Sequence, residues 1–221
     1  MGSIIEIEAS DGHGLSAYQA NPSGSPKGGL VVIQEIFGVN SHIRELCDSF
    51  AGDGFVAIAP ALFDRIEKDV DLGYEEDDRQ KGIELRGQID WEDNLLDAIA
   101  AKETISEVRK IGAIGYCFGG TVAWLCACSG EFDAASGYYG GFIHTFLDRE
   151  AKCPVELHFG AQDQSIPQEN VEKIKLSKPN VDIYVYENAG HGFVCDHRAS
   201  YDELATIKSR ERTLSFFGNS L

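Results

Sequence analysis

A cysteine between two glycines is the residue of this chain best placed to act as a nucleophile. Cys117 lies in the Gly-Tyr-Cys-Phe-Gly string of residues 115–119. An apolar run typical of a buried strand precedes the string, and residues 120–127 have helical character. A strand, a glycine-flanked nucleophile and a helix together predict a sharp turn with a strained central residue. A thiol at that position predicts acyl transfer through a thioester.

An acid and a histidine follow the cysteine, each after a strand-like run. Asp163 follows the run that ends at Phe159, and His191 lies between glycines after the run that ends at Tyr186. The carboxyl ends of parallel strands meet at one edge of a sheet, so we expect both side chains near Cys117. The order nucleophile, acid, histidine is that of α/β-hydrolases, in which the histidine is the base and the acid orients it. Taken alone, Asp163 is weak evidence, because an Asp in a loop is most often a cap or a solvated side chain.

Another strand-like run, residues 30–34, is followed directly by Glu35. Two interpretations of this residue stay open. It is either a surface carboxylate that caps the next helix, or a carboxylate beside Cys117 with the Ile36 amide in an oxyanion hole. Among the histidines, His158 lies in mid-strand and is expected to be a core or edge residue. The others have no partner visible in the sequence: His13, His42, His144 and His197.

The elements that must position these residues alternate between strand-like and helix-like stretches. This pattern predicts an α/β-hydrolase fold, with a mostly parallel central sheet, helices on both faces and no separate lid domain, in one domain over residues 1–221. The strands are expected at Ile4–Glu8, Leu30–Gln34, Phe55–Ala59, Ala113–Tyr116, Ala134–Tyr138, Val155–Phe159 and Ile183–Tyr186. The helices are expected at Ser41–Ala51, roughly Asp77–Arg86 running on through Asn94–Val108, Gly119–Ala127, Gln168–Leu176 and Tyr201–Phe217. The Pro-, Ser- and Gly-rich segment Asn21–Gly29 is expected to close an N-terminal hairpin.

Composition excludes several classes of partner. The formal net charge of −17 argues against nucleic acid and against anionic membrane surfaces. The first residues lack the features of a signal peptide and no apolar run is long enough to span a membrane, so a cytoplasmic location is expected. The six cysteines show no metal-ligand spacing. We therefore expect no cofactor and no metal ion, and five of the cysteines should be buried thiols.

Several strings resemble the dienelactone hydrolase (carboxymethylenebutenolidase) family over nearly the whole chain. They are residues 34–40 with Glu35, Arg44-Glu45, Pro60–Phe63, residues 115–120 around Cys117, Gly137–Gly140, Gly160–Asp163 and Ala189–Phe193. The string with Glu35 is the most specific, since it separates this family from ordinary serine esterases.

The resemblance implies a role for each matching residue. Cys117 would be the nucleophile, His191 the base and Asp163 its orienter, with the amides of Ile36 and Phe118 as the oxyanion hole. In the family, the glutamate that matches Glu35 contacts the resting thiol and helps to form the thiolate.

Family members also bind the substrate's carboxylate with two arginines, and Arg79 matches the first of them. The position of the second holds Cys195, so Arg198 could replace that arginine only in a rearranged loop. Tyr138, in the Gly137–Gly140 string, is a further expected substrate contact.

These observations predict a hydrolase of a small, carboxylated ester or lactone. Two alternatives stay open, a broad carboxylesterase or thioesterase and a non-catalytic binder of small ligands. A monomer or weak homodimer is expected, with the small-molecule substrate as the partner.

Overall fold

The computed structural model describes residues 2–221, in which eight strands form one sheet. The spatial order is β1-β2-β4-β3-β5-β6-β7-β8. β2 runs antiparallel to its two neighbours, and the other pairs are parallel. The strands are β1 (Ser3–Glu8), β2 (Gly14–Ala20), β3 (Gly28–Ile33), β4 (Phe55–Pro60), β5 (Ile111–Tyr116), β6 (Ala134–Tyr138), β7 (Val155–Gly160) and β8 (Asp182–Tyr186).

Helices cover both faces of this sheet, which confirms the predicted α/β-hydrolase architecture. They are α1 (Ser41–Gly52), α2 (Glu76–Arg86), α3 (Trp91–Thr104), α4 (Phe118–Ser129), α5 (Gln168–Ser177) and α6 (Glu203–Ser220), with short 3-10 helices at Leu62–Arg65 and Ile143–Thr145. Every residue of β3, β4, β5 and β7 is buried. Burial on both faces explains why these strands read as continuous apolar runs rather than as alternating patterns.

The N-terminal hairpin differs from the prediction. β1 pairs with β2, a strand that the sequence analysis missed, and the turn between them spans residues 9–13. Gly12 supplies the turn's positive φ of 85°. The segment Asn21–Gly29 instead leads from β2 to β3, which are not neighbours because β4 lies between them. The expectation that Asn21–Gly29 closes the hairpin was wrong, since a shorter Asp-Gly turn already closes it.

The long helical stretch predicted from Asp77 through Val108 is two helices, α2 and α3. The break lies at residues 87–90, where Gly87 ends α2 and Asp90 is the N-cap residue of α3. At Gly82, a Cβ atom would lie 2.0 Å from the Ile36 carbonyl oxygen, so α2 packs directly on the backbone after β3. This contact places α2 over the carboxyl edge of the sheet, next to Cys117.

Candidate active site

The turn between β5 and α4 has the backbone geometry that the glycine spacing predicts. Cys117 has φ 55° and ψ −115°, a region that side chains other than glycine's rarely adopt. A Cβ atom at Gly115 would lie 1.9 Å from the Gly119 carbonyl oxygen, and one at Gly119 would lie 2.4 Å from the Ile33 carbonyl oxygen. Only glycine fits at either position. The close approach of strand and helix therefore holds the thiol at the carboxyl edge of the sheet.

Cys117, His191 and Asp163 lie in hydrogen-bond contact in the predicted order. The Nε2 atom of His191 is 3.1 Å from the Sγ atom of Cys117, and its Nδ1 atom is 2.8 Å from Oδ2 of Asp163. The other carboxylate oxygen of Asp163 accepts hydrogen bonds from the backbone N–H groups of Ser165 at 2.7 Å and Ile166 at 3.1 Å. These bonds fix the carboxylate, whose side chain is 1% exposed, and so fix the imidazole.

The charge of His191 depends on its two neighbours. Burial alone disfavours the imidazolium, but the sulfur of Cys117 and the carboxylate of Asp163 outweigh burial and raise the pKa of His191 to about 10. The histidine is therefore protonated at neutral pH. The ring of Tyr139 packs 5.0 Å from the imidazole, measured between centroids, and limits its access to water.

The remaining cysteines lie in environments that disfavour ionisation. Burial raises the pKa of Cys47 and Cys126, and it raises the pKa of Cys128, Cys153 and Cys195 to about 11. All six cysteines are free thiols. Since the thiolate is the reactive form, these five thiols are poor nucleophiles at neutral pH.

Two backbone amides beside Cys117 are free to bind an oxyanion. Within residues 2–221, the N–H groups of Ile36 and Phe118 donate to no protein acceptor. Phe118 is the first residue of α4, so its amide points out of the helix N-terminus, where negative charge is favoured. Ile36 lies just beyond β3, and its side chain lines the same cavity as Cys117.

Glu35 contacts an arginine rather than the cysteine. Its Oε1 atom is 3.4 Å from Nη1 of Arg198, and its side chain is 1% exposed. Within the described chain, no hydrogen bond joins Glu35 to Cys117, whereas the resemblance implied contact with the resting thiol. The interpretation as a surface helix cap was also wrong, because Asn40 caps α1. Attraction to the partly buried guanidinium explains where Glu35 lies.

Arg198 reaches the cavity from the loop after His191. Gly192 has φ 73°, and a Cβ atom there would lie 2.2 Å from Nη1 of Arg198. Another residue here would be strained by the positive φ and would displace the guanidinium. Arg198 also lies over the rings of Phe37 and Tyr74, at 5.6 and 5.8 Å from their centroids. The loop thus brings Arg198 to the edge of the site despite the cysteine at position 195.

A cavity of about 420 Å³ lies over Cys117 and contains three arginines, Arg79, Arg86 and Arg198. Arg79 is half-exposed, and two of its nitrogens bond the carboxylate of Glu76.

Arg86, which the sequence analysis missed, has no hydrogen-bond partner for its buried Nε atom among the described residues. Its guanidinium carbon lies 4.2 Å from the Trp91 ring centroid, and burial lowers its pKa. Arg86 is two helical turns after Arg79, and this spacing on α2 could have revealed it.

Tyr138 does not contact this cavity, so its prediction as a substrate contact was wrong. Its hydroxyl bonds Thr213 Oγ1 at 2.8 Å, and its ring stacks on that of His158 at 4.3 Å. Side chains alternate along a strand, so Tyr138 points into the core while the next residue, Tyr139, faces His191. The core position predicted for His158 is confirmed, since it is fully buried.

The sheet order, the turn at Cys117 and the positions of Asp163 and His191 at strand ends define an α/β-hydrolase. The model of the dienelactone hydrolase family matches residues 15–221. The chain belongs to the dienelactone hydrolase family, and it is a carboxylic ester hydrolase. In residues 2–221, no helix combines the length and the apolar character needed to cross a membrane.

Similar proteins cover nearly the same length. A candidate carboxymethylenebutenolidase of Synechocystis sp. is 35% identical over 211 residues, covering 87% of this chain and 86% of its own. The carboxymethylenebutenolidase of Pseudomonas putida is 32% identical over 222 residues, covering 96% and 94%. The crystal structure of a candidate dienelactone hydrolase from Klebsiella pneumoniae superposes with a TM-score of 0.81 at 27% identity, covering 97% of this chain and 98% of its own.

Proposed function

We propose that this chain hydrolyses a small, carboxylated ester or lactone through a thioester on Cys117. The observation that carries the proposal is the chain of contacts from Cys117 Sγ to His191 Nε2, 3.1 Å, and from His191 Nδ1 to Asp163 Oδ2, 2.8 Å. These contacts lie at the floor of a cavity with three arginines, in a protein of net charge −17. The similarity to the Pseudomonas putida carboxymethylenebutenolidase supports a lactone as the substrate.

In the first half of the reaction, the thiolate of Cys117 attacks the acyl carbon. The carbonyl oxygen gains the negative charge and accepts hydrogen bonds from the Ile36 and Phe118 amides. The carbon–oxygen single bond then breaks, and the imidazolium of His191 gives its proton to the departing oxygen. In an ester this oxygen leaves with the alcohol, whereas in a lactone it remains attached to the acyl chain.

The second half of the reaction regenerates the thiolate. Neutral His191 removes a proton from a water molecule, whose oxygen attacks the thioester carbon. The carbon–sulfur bond then breaks, which releases the acid and restores the thiolate beside the imidazolium. Asp163 stabilises the charged imidazole in both halves and holds its Nδ1 atom in the protonated form.

Arg198 is the residue that we expect to bind the substrate's carboxylate. Among the described residues, the guanidinium of Arg198 makes one hydrogen bond, the long contact with Glu35, so most of its N–H donors are free for a ligand. A carboxylate that engages Arg198 weakens its attraction to Glu35. Glu35, whose Oε2 atom has no partner within residues 2–221, then becomes free to turn toward Cys117 and take up its proton. Arg86 adds a second positive charge to the cavity, where it lies against the rings of Trp91 and Phe142.

A substrate panel tests this proposal against the alternatives of a broad esterase or thioesterase and of a binder. It contains nitrophenyl esters, acyl thioesters and lactones, each with and without a carboxylate, and is run with the wild type and Cys117→Ala. We expect the highest kcat/KM for carboxylated oxygen esters or lactones, and no turnover by the variant. Equal rates with neutral substrates would favour a broad esterase, and binding without any turnover would favour a binder. A cytoplasmic location and a monomer or weak homodimer stay predictions.

A further inference from the structure

Four potential metal ligands meet outside the cavity, at the junction of α1 and the loop after His191. They are His42 and Glu45 of α1 with Asp196 and His197 of the loop, and one ligand atom from each lies within 4.8 Å of the others. The Nε2 atom of His197 is 3.0 Å from Oε2 of Glu45 and 3.7 Å from Oδ1 of Asp196. Two imidazoles and two carboxylates from distant parts of the sequence therefore converge on one point.

The state of His42 is the observation that sets this cluster apart from a surface ion pair. His42 is 3% exposed, and its Nε2 atom is buried without a hydrogen-bond partner within residues 2–221. Burying an imidazole without a partner costs free energy, so such a group calls for a ligand.

We propose that His42, Glu45, Asp196 and His197 bind a divalent transition metal ion, with Zn²⁺ as the best match. Imidazole and carboxylate ligands in a set of four suit zinc, and two carboxylates balance its charge. Zinc bonds of about 2.0–2.2 Å place tetrahedral ligand atoms about 3.4 Å apart. Of the separations between ligand atoms, that of 3.0 Å between His197 and Glu45 is shorter than this value, and that of 3.7 Å between His197 and Asp196 is longer. Three of the four residues are exposed, so their side chains can close the remaining gap.

Such an ion would join α1 to the loop that carries Arg198, the residue after His197. It would therefore limit the movement of the guanidinium that contacts Glu35 at the edge of the cavity. This site is separate from the proposed hydrolysis, since none of its four residues lines the cavity over Cys117. It also departs from the sequence-based expectation of no metal, which considered cysteine spacing and not these histidines.

Isothermal titration of the purified protein with Zn²⁺ tests the proposal. Cys117→Ala is included because a thiolate beside a histidine can itself bind zinc. We expect one ion per chain in the wild type and in Cys117→Ala. Loss of one ligand in His197→Ala should weaken this binding by about 100-fold, and loss of one charge in Glu45→Gln by about tenfold. His13→Ala, which removes a histidine elsewhere in the protein, should bind as the wild type does.

A spectrum with Co²⁺ gives an independent readout, since cobalt bound only by nitrogen and oxygen shows visible bands without the near-ultraviolet band of a thiolate. We expect this spectrum from Cys117→Ala and its loss from His197→Ala. Thermal unfolding without metal checks that each variant is folded. Binding that disappears in Cys117→Ala, binding of equal strength in wild type and His197→Ala, or no binding by the wild type would each overturn the proposal.

Discussion

Replacing Arg198 with alanine should affect carboxylated substrates far more than neutral ones. The Arg198 side chain is 19% exposed, and its one hydrogen bond within the described chain is the 3.4 Å contact with Glu35. A hydrogen bond between charged groups in such a site contributes about 1.5–3 kcal/mol. We therefore expect Arg198→Ala to raise KM for a carboxylated ester by about 10- to 100-fold relative to a neutral ester, at about 1.4 kcal/mol per tenfold change.

Arg79 provides the matched comparison, because it lines the same cavity. Its side chain is 49% exposed and is already bonded to Glu76. An exposed, paired charge contributes about 1 kcal/mol or less. Arg79→Ala should therefore change the same KM ratio by less than about fivefold. Nitrophenyl hemisuccinate and nitrophenyl butyrate are a suitable pair of esters, since they have similar length and the same leaving group.

The loss of Arg198 also leaves the buried carboxylate of Glu35 without its partner. Unpaired buried charge destabilises a protein, so the single variant could lose activity for a reason unrelated to substrate recognition. The double variant Glu35→Gln with Arg198→Ala removes that charge and should show the same selective rise in KM for hemisuccinate. A rise that is equal for both esters, or a larger selective effect from Arg79→Ala, would refute the assignment of Arg198 as the carboxylate contact.

Three further predictions concern the residues around the thiol. Cys117→Gly should be more stable than Cys117→Ala by about 1–2 kcal/mol in urea unfolding, because glycine adopts a positive φ without strain. Equal stability of the two variants would mean that the turn is not strained. Glu35→Gln should speed alkylation of Cys117 by iodoacetate at least about threefold at neutral pH, because a negative charge near the thiolate is removed, and it should lower kcat. An unchanged alkylation rate would mean that Glu35 does not influence the thiol. Asp163→Asn should lower kcat by about 10²- to 10⁴-fold and His191→Ala by at least as much in steady-state assays; wild-type rates in both would exclude the proposed acid–base roles.

Much of the site could be predicted from the sequence because local constraints fix it. The contacts that Gly115 and Gly119 make leave no room for a side chain, so the Gly-x-Cys-x-Gly spacing specifies the turn. Asp163 and His191 each follow a fully or partly buried strand, and parallel strands present such positions at one edge. The central strands were also predicted to within three residues at either end, since burial on both faces makes them continuous apolar runs.

The features of the site that the sequence did not predict depend on contacts between distant segments. Arg198 lies in a loop in which Gly192 has a positive φ, and no local pattern predicts which way that loop turns. Tyr138 and Tyr139 are adjacent residues of the same type, so only the register of β6 decides which of them faces His191. Glu45 and His197 are 152 residues apart and meet only in the folded chain.

The most direct test of the central claim is intact-protein mass spectrometry after rapid acid quenching of a reaction with nitrophenyl butyrate. We expect a mass increase of one butyryl group, mapped by peptide digestion to Cys117 and removed by hydroxylamine as a thioester is. In His191→Ala the adduct should accumulate or should form more slowly, and Cys117→Ala should form none. Turnover by Cys117→Ala at the wild-type rate, or an adduct on any other residue, would contradict that claim.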